Sequence, residues 1–356
     1  MSRMTVPAAT VVGGVDTHVQ THHAAIIDLQ GRLLGVSSFP TTDEGYRQLL
    51  AWMGGFGNLQ AVGVEGSGAY GAALTRYLRA AHVVVVEVNR PHAHTRARRG
   101  KNDAIDAEAA ARKVLSGECT AVPKDTTGVV EAIRQLYVAR ASAVEARTIA
   151  LQQLHALLVT APDGVRHALT AKTLKGKATQ CSSWTADWKA VADPALAARH
   201  ALGSLGRRVL NLNAEIRTLD KHLSTLVNRA APRTLARYGV GVMCTAQMLI
   251  TAGENIDRLR GETSFAHLCG SDPLPASSGQ TERHRLNYGG DRQANRALYM
   301  TAVVRLRGDK RTREYAARRT AEGKSTRDII RCLKRYIARE VYYTLTADLK
   351  DLAKIA

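Results

Sequence analysis

The chain has 356 residues, 45% of them hydrophobic, and a formal net charge of +19 from 50 Lys and Arg against 31 Asp and Glu. This length and apolar content predict a globular protein of two or three domains and exclude a disordered chain. The excess of positive charge predicts a polyanionic partner, foremost a nucleic acid, and leaves a merely basic enzyme as the alternative.

The cysteines and the apolar runs indicate the compartment. The five cysteines are odd in number, widely spaced and without a CxxC pattern. This argues against a disulfide framework or a structural zinc site and favours a reducing compartment. No segment of signal-peptide type opens the sequence, and no apolar run approaches the roughly 18 residues of a membrane span. We therefore expect a cytoplasmic protein with no membrane partner.

The first third alternates short apolar runs with amphipathic stretches. Predicted strands cover Thr10–Asp16, His23–Asp28, Arg32–Phe39, Leu59–Glu65 and Val83–Val88. Predicted helices cover Thr42–Met53, Tyr70–Ala80 and Asp103–Leu115. Three strands able to form an antiparallel meander, followed by alternating helices and strands, predict an α/β layer on a mixed sheet. This order is typical of the ribonuclease H-like fold.

Four acidic residues in this region suggest metal chemistry. They are Asp16 in GVDTH, Glu65 in VEGSGAY, and Asp103 with Asp106 in KNDAIDA. The last two lie three apart and share one helical face, and close carboxylates repel unless a cation such as Mg²⁺ lies between them. Two such ions, about 3.5–4 Å apart, stabilise both oxygens of a phosphoryl displacement. A single Asp at a strand end is more often a cap, but four in the ribonuclease H-like order predict a site for a phosphodiester.

A basic connector, NRPHAHTRARRGK, precedes the last acidic pair. Its cationic residues nearest that pair are Arg96, Arg98, Arg99 and Lys101. We predict that they contact a phosphate backbone beside the metal, the alternative being a solvated loop. His92 and His94 have no matching Cys or third His nearby, which argues against a metal site there.

The middle of the chain has the periodicity of long helices. From about Thr127 to Val159 and from Leu202 to Arg229, apolar residues recur at helical spacing and predict the two arms of a coiled coil. The stretch Asp163–Arg199 between them predicts a loose insertion with some helix. The paired helices are either a dimer contact or an internal hairpin. The predicted domains are 1–125, 126–231 with the insertion near 163–199, and 232–356.

The last third opens with a Gly-Val-Gly turn at 239–241 before an apolar helix. Such a turn either offers backbone N–H groups to a phosphate, as in helix-hairpin-helix modules, or simply precedes a core helix. Helices are predicted at Ser264–Leu268 and from about Arg292, with a Gly-, Pro- and Ser-rich loop between them. Candidates for phosphate contact, with solvent-facing charge as the alternative, are Arg283, Arg285, Arg292 and Arg296.

Four motifs in register resemble the DEDD transposases of bacterial insertion elements, the insertion sequence one-ten family. The motifs are GVDTH, VEGSGAY, NDAIDA and Pro-x-x-x-x-Ser-Gly at 273–279. The resemblance runs from about Val12 to Tyr343 and implies a fold class of α/β plus mostly α. A ribonuclease H-like (RuvC-like) mixed-sheet domain, a helical coiled-coil domain and a mainly helical C-terminal transposase domain would follow one another. In the family pattern, Asp16, Glu65, Asp103 and Asp106 bind Mg²⁺, with Mn²⁺ as a substitute, and Ser278 is the nucleophile.

The resemblance also implies the reaction and the partners. Donor and target DNA would be cleaved and exchanged through a covalent phosphoserine link, guided by a structured bridge RNA that pairs with both. A homodimer or tetramer is expected, in the bacterial cytoplasm and on the nucleoid when active. The sequence departs from the family pattern at Gly270-Ser271-Asp272-Pro273, where members have Gly-Leu-x-Pro, and at Ala294-Asn295, where they have Leu-Arg.

Two other functions fit the same residues. One is a Mg²⁺-dependent nuclease that resembles Holliday-junction resolvases, in which the C-terminal third only binds. The other is a non-catalytic nucleic-acid-binding protein. If RNA selects the sites, the protein needs mainly backbone and shape contacts, so the sequence does not encode the DNA target.

Overall fold

A computed structural model describes residues 9–89, 102–185, 192–255, 258–280 and 284–354. The chain forms two compact units. The first consists of Met1–Glu131 with Ala252–Phe265, and the second of Ala132–Thr251 with Ala266–Ala356. The predicted boundaries after residues 125 and 231 stay predictions.

The first unit is built on a five-stranded mixed sheet in the order β3-β2-β1-β4-β5. Its strands are β1 (Thr10–Thr17), β2 (Thr21–Asp28), β3 (Leu33–Pro40), β4 (Asn58–Glu65) and β5 (Val85–Val88). The first three strands pair antiparallel, whereas β4 pairs parallel with both β1 and β5. The predicted mixed sheet is confirmed, and it is consistent with a ribonuclease H-like α/β domain.

Helices cover both faces of this sheet. They are α1 (Asp43–Gly54), α2 (Ala72–Ala80) and α3 (Asp103–Leu115). Because successive strand residues face opposite sides, Val11 and Val15 pack in the core with α1 and α2, while Val12 packs with Ala111 of α3. The three helices predicted in this region are confirmed.

A segment distant in sequence completes the first unit. The side chain of Asn255 accepts a hydrogen bond from the N–H of Asp125 at 2.9 Å and donates one to the carbonyl of Pro123 at 2.9 Å. Its neighbour Glu254 accepts from the N–H of Val130 at 3.2 Å. These side chains satisfy backbone groups of residues 120–130, which explains why 252–265 belongs to this unit.

Two long helices dominate the first part of the second unit. They are α4 (Val129–Thr160), which begins in the first unit, and α7 (Pro194–Ala230), with the short α5 (Asp163–His167) and α6 (Leu174–Ser182) between them. Arg140 pairs with Asp220, and Arg147 donates to Asn213 at 3.0 Å, so α4 and α7 run antiparallel. The two predicted arms therefore meet as an internal hairpin, while the coiled-coil packing stays a prediction.

The stretch Asp163–Arg199 contains some helix, as expected, but in the part that the structure describes α6 packs closely rather than loosely. Ala178 and Cys181 of α6 are fully buried against α7. A Cβ added at Gly206 would lie 2.4 Å from the carbonyl oxygen of Ala178, so this glycine allows the two helix backbones to approach closely. The missing side chain at Gly206 and the buried apolar cluster around it together make this contact possible.

The rest of the second unit is mainly helical. The remaining elements are α8 (Pro232–Leu235), α9 (Val242–Ala252), α10 (Glu262–Leu268), β6 (Leu274–Pro275), β7 (His284–Arg285), α11 (Arg292–Gly308), α12 (Lys310–Ala321) and α13 (Thr326–Ala353). All lie in the second unit except α10, which begins in the first unit and ends in the second, and the last residue of α9. The helices predicted near 264–268 and from 292 are confirmed. Within the described ranges, no helix has the length and apolar character that a membrane crossing requires.

Candidate metal centre

Two glycines let α3 lie directly on the strands that carry the first acidic residues. A Cβ added at Gly14 of β1 would lie 2.2 Å from the carbonyl oxygen of Ala107, and one at Gly63 of β4 would lie 2.9 Å from that of Ala110. Any larger residue would hold the helix away from the sheet. Because strand side chains alternate, Asp16 and Glu65, two residues further on, face the same side as these glycines.

The strand register brings Asp16 and Glu65 side by side. Val15 pairs with Val64 in the parallel ladder, so the next residue of each strand is one of the two carboxylates. The hydroxyl of Thr17 donates to the carbonyl of Glu65 at 2.8 Å and joins the two strand ends. Both acidic side chains are buried, with relative exposures of 7% for Asp16 and 8% for Glu65.

The first turn of α3 supplies the other two acidic residues. Asn102 caps this helix by accepting a hydrogen bond from the N–H of Ala104 at 3.1 Å. Asp103 and Asp106 follow in the first turn, where the positive end of the helix dipole favours negative charge. Asp106 is buried and Asp103 is partly exposed.

Two histidines that the sequence analysis missed complete the group. The Nε2 atom of His18 lies 3.2 Å from a carboxylate oxygen of Asp16 and 3.4 Å from one of Asp103. His23, which pairs with Asp16 in the antiparallel ladder, has its Nε2 atom 3.4 Å from the other oxygen of Asp103. The signal for His18 was its place two residues after Asp16 in GVDTH.

The charges in this group act on one another. Burial is the main cause that raises the pKa of Asp16, and His18 opposes the rise. The negative charges of Asp106 and Asp103 add to it, so the three carboxylates are electrostatically coupled. A divalent cation would relieve this repulsion.

The donor atoms fit such a cation. One ligand atom each from Asp16, His18 and Asp103 lie within 4.8 Å of one another, close enough to surround a single ion. Carboxylate oxygens suit Mg²⁺ or Mn²⁺, and an imidazole adds affinity for transition metals. Of the four predicted ligands, Asp16 and Asp103 are members of this group, while Glu65 lies beside Asp16 in register and Asp106 is within electrostatic reach.

The predicted nucleophile and the basic candidates lie elsewhere in the sequence. Ser278 belongs to the second unit, is exposed, and precedes Gly279, whose φ of +57° is in the left-handed region. Arg285, Arg292 and Arg296 are also exposed, and the guanidinium of Arg292 lies 5.6 Å from the centre of the Tyr288 ring. The candidates outside the described residues are Arg96, Arg98, Arg99, Lys101 and Arg283.

Asn295 holds the base of the loop that carries Ser278. Its side chain donates to the carbonyls of Cys269 at 3.0 Å and Gly270 at 2.9 Å. Lys334 of α13 donates in turn to the Asn295 side chain at 2.8 Å, and burial lowers the pKa of this lysine. The departure from the family pattern at Ala294-Asn295 therefore places a loop anchor there, and Lys334 is a nearby basic group that the sequence analysis did not identify.

Two family models match this chain. Residues 13–161, which contain all four acidic residues, match the DEDD transposase model of IS110. Residues 235–317, which contain Ser278, match the model described as Transposase IS116/IS110/IS902 family. The chain belongs to the IS110 family of transposases. The resemblance noted in the sequence motifs is confirmed.

Curated relatives of this IS110-family chain come from two insertion elements. It is 29% identical over 193 residues to the "Insertion element IS900 uncharacterized 42 kDa protein" of Mycobacterium paratuberculosis, a match that covers 53% of this chain and 46% of that protein. It is 30% identical over 158 residues to the "Insertion element IS110 uncharacterized 43.6 kDa protein" of Streptomyces coelicolor, covering 42% of this chain and 36% of that one. Each match spans less than half of the relative's length.

Proposed function

We propose that this protein is a transposase that cleaves and exchanges DNA strands, and that the acidic group of the first unit is the metal-dependent half of its active site. One observation carries the proposal: side chains of β1 and α3 converge until Asp16, His18 and Asp103 offer ligand atoms within 4.8 Å of one another. The match of residues 13–161 to a DEDD transposase model supports the DNA substrate.

The four carboxylates would hold Mg²⁺ or Mn²⁺. When bound, such an ion stabilises negative charge on the phosphate and on the departing oxygen. The protein keeps the ligands in place before any metal arrives. The hydrogen bond from Thr17 to Glu65 fixes the strand ends, and the Asn102 cap fixes the first turn of α3.

Ser278 is the proposed nucleophile. Its hydroxyl oxygen attacks a DNA phosphorus, a serine–phosphate bond forms, the bond to the 3′ oxygen breaks, and that oxygen takes up a proton. A 3′ hydroxyl from the other duplex then attacks the phosphoserine and releases Ser278, so the number of phosphodiester bonds is conserved and ATP is not needed. The exposed position of Ser278 beside a glycine turn supports this role.

The partners are proposed from the family resemblance and from charge. A structured bridge RNA would pair with donor and target DNA, and two or four protomers would act together because two duplexes exchange strands. The net charge of +19 supports backbone contacts to these polyanions. Arg285, Arg292 and Arg296, all exposed, are the described candidates for such contacts.

The test uses element-end DNA, the RNA of the flanking non-coding region, and the full chain. With labelled DNA, the wild type should form a covalent protein–DNA species that survives denaturing electrophoresis, whereas Ser278→Ala should form none. The neighbouring Ser277→Ala is the matched control and should retain the species. Recombination by Ser278→Ala without any covalent species would overturn the serine mechanism and favour a metal-dependent nuclease.

Asp16→Asn tests the metal-dependent half in the same assay. We expect DNA binding close to that of the wild type and cleavage lower by a factor of at least about 100, because one metal ligand loses its charge. Asp43→Asn, an exposed carboxylate at the start of α1, is the control and should cleave normally. Metal-dependent cleavage that survives in Asp16→Asn would contradict the assignment of this site.

A further inference from the structure

A large cleft in the second unit is lined by none of the acidic residues, the serine or the arginines that are proposed above as functional. It has a volume of 1110 Å³ and is lined by the end of α8 with the following turn, by α11 and α12, and by α13. Pockets for drug-sized ligands measure about 300–1,000 Å³, so this cleft has room for more than one nucleotide-sized group.

The lining combines arginines with tyrosines. Five arginines face three carboxylates, so the cleft carries an excess of positive charge. Four of the chain's eleven tyrosines also line it. The tyrosines are Tyr238, Tyr315, Tyr336 and Tyr343.

Internal partners already occupy the three carboxylates. Arg305 forms an ion pair with Glu340 at 2.6 Å, and Asp309 accepts hydrogen bonds from Thr312 at the start of α12. Glu314 lies 3.9 Å from Lys310 on the same helix. Arg237 lies 3.6 Å from Glu340, and Arg318 lies over the Tyr315 ring, so two other arginines of the lining are left to an external partner.

Those two arginines are Arg311 and Arg339. Both are exposed, and neither forms an ion pair with a carboxylate in the part of the chain that the structure describes. The charge of Arg311 acts on Asp309, but without a direct ion pair. An anion that enters the cleft therefore meets two guanidinium groups with which no described carboxylate forms an ion pair. A phosphate suits their planar fork of donors.

The tyrosine rings offer stacking surfaces. Tyr238, Tyr336 and Tyr343 are 56%, 57% and 57% exposed. Tyr336 is held by an edge-to-face contact with Tyr315 at 5.7 Å, and Arg318 lies 5.6 Å from the centre of the Tyr315 ring. The ring of Tyr336 is thus held on one side by Tyr315, while more than half of its surface remains exposed. Bases of a single strand stack on such rings, whereas bases inside a duplex already stack on one another.

We propose that this cleft binds an unpaired nucleic-acid strand, with bases on Tyr336 and Tyr343 and phosphates at Arg311 and Arg339. The proposal deepens the proposed function and rests on it for the source of the strand, because strand exchange frees unpaired nucleotides. The shared chemistry, a base with a phosphate, belongs to DNA and RNA alike. The experiment separates the two sources.

The test measures fluorescence anisotropy of the full chain with labelled 12-nucleotide oligo(dT), 12-nucleotide oligo(U) and a 12-base-pair duplex. Tyr336→Ala and Tyr343→Ala should each weaken single-strand binding about tenfold, while the phenylalanine variants keep the wild-type affinity because the ring remains. Tyr299→Ala on α11 is the matched control. Tyr299 is 44% exposed and lies outside the cleft, so its loss should change nothing.

Arg339→Ala tests the phosphate contact. The log–log slope of affinity against salt should become shallower by about 0.7 for one contact to a single strand. If the cleft variants lose affinity for oligo(dT) alone, the cleft binds DNA. If they lose affinity for oligo(U) alone, it binds RNA. If Tyr336→Ala and Tyr343→Ala bind both oligonucleotides as the wild type does, or lose duplex affinity to the same extent, the proposal is wrong.

Asp16→Asn separates this proposal from the proposed function. The variant should bind both oligonucleotides normally while it loses DNA cleavage, because Asp16 does not line the cleft. Cleavage retained by Asp16→Asn contradicts the metal-dependent site and leaves the strand-binding result standing. Normal strand binding by the tyrosine variants contradicts only the proposed role of the cleft in binding a single strand.

Discussion

The Nε2 atom of His18 lies 3.2 Å from Oδ2 of Asp16. The same nitrogen lies 3.4 Å from Oδ1 of Asp103, so one atom faces two carboxylates from different elements of the fold. One N–H proton cannot be aligned with both oxygens at once. A lone pair on Nε2 and the two carboxylates can, however, all bind a single cation between them.

We therefore predict that His18→Ala weakens metal binding. Loss of a group that binds the ion or orients its carboxylate ligands costs about 10- to 100-fold in metal affinity. Isothermal titration with Mn²⁺, followed by DNA cleavage at several Mn²⁺ concentrations, measures the effect. His82→Asn is the control, since His82 is exposed and its φ of 60° suits asparagine. Unchanged Mn²⁺ affinity in His18→Ala would exclude His18 from the site.

Gly14→Ala should disturb the metal site without touching any ligand. The new Cβ would lie 2.2 Å from the carbonyl oxygen of Ala107, so α3 must move away from β1. Overpacking of this kind costs about 3 kcal/mol. Because Asp103 and Asp106 are carried by α3, the shift should also lower Mn²⁺ affinity, which titration measures alongside urea unfolding.

Gly54→Ala is the matched control for that substitution. Gly54 ends α1, and a Cβ there meets nothing within 4 Å among the described residues. Alanine favours the helix over glycine, so this variant should be as stable as the wild type or slightly more so. If both variants behave alike in unfolding and in metal titration, the close approach of α3 to β1 does not position the ligands.

The predicted bounds of α3, Asp103–Leu115, are those observed, and local features fix its start, since Asn102 caps the helix and the acidic pair lies in its first turn. The predicted ends of β2 and β4, at Asp28 and Glu65, are also observed, because an acidic residue ends each apolar run, whereas β1 ends at Thr17, one residue beyond the prediction. His23 was not predicted as a neighbour of Asp103, since that contact depends on the β1–β2 register. No periodicity marks the segment 252–265 as part of the first unit, because isolated side-chain hydrogen bonds hold it there.

His22 should make stability depend on pH. Its ring is fully buried against Tyr46, at 5.7 Å between ring centres, and neither ring nitrogen has a hydrogen-bond partner in the described part of the chain. Burial, aided by the charge of His18, lowers the pKa of His22 to about 4 from an ordinary 6.5. Because folding lowers this pKa, the unfolded chain takes up a proton at a higher pH than the folded protein does. The contribution of His22 to the free energy of unfolding is therefore full above pH 6.5 and is lost as the pH falls from 6.5 to 4.

The measurement compares urea unfolding of the wild type and His22→Phe at pH 7 and pH 4. Other groups titrate alike in both proteins, so only the difference between them matters. The wild type should lose about 3 kcal/mol more than His22→Phe over this range, from about 1.4 kcal/mol per pKa unit. The control His82→Asn should lose as much stability between pH 7 and pH 4 as the wild type does. Equal losses in wild type and His22→Phe would mean that His22 does not stay neutral in the folded protein.

Asp348 should stabilise the second unit through backbone hydrogen bonds. Its fully buried side chain accepts from the N–H groups of Arg233 at 3.1 Å and Thr234 at 2.9 Å, and from the Thr234 hydroxyl at 2.8 Å. These donors lie at the start of α8, and Thr234 is fully buried. Asp348→Ala removes the acceptor of the two backbone N–H groups, while the Thr234 hydroxyl keeps its hydrogen bond to Thr344 at 3.1 Å, so we expect a loss of about 3 kcal/mol in the free energy of unfolding.

Asp351→Ala is the matched control, because Asp351 lies one turn further along α13 and pairs with the same arginine. Its ion pair with Arg233 measures 2.6 Å, but the carboxylate side chain is 43% exposed and water competes for the charge. The midpoint of urea unfolding should therefore fall clearly for Asp348→Ala and little for Asp351→Ala, with the same dependence on urea concentration. Similar shifts in the two variants would mean that charge near Arg233, rather than the buried hydrogen bonds to α8, accounts for the stabilisation.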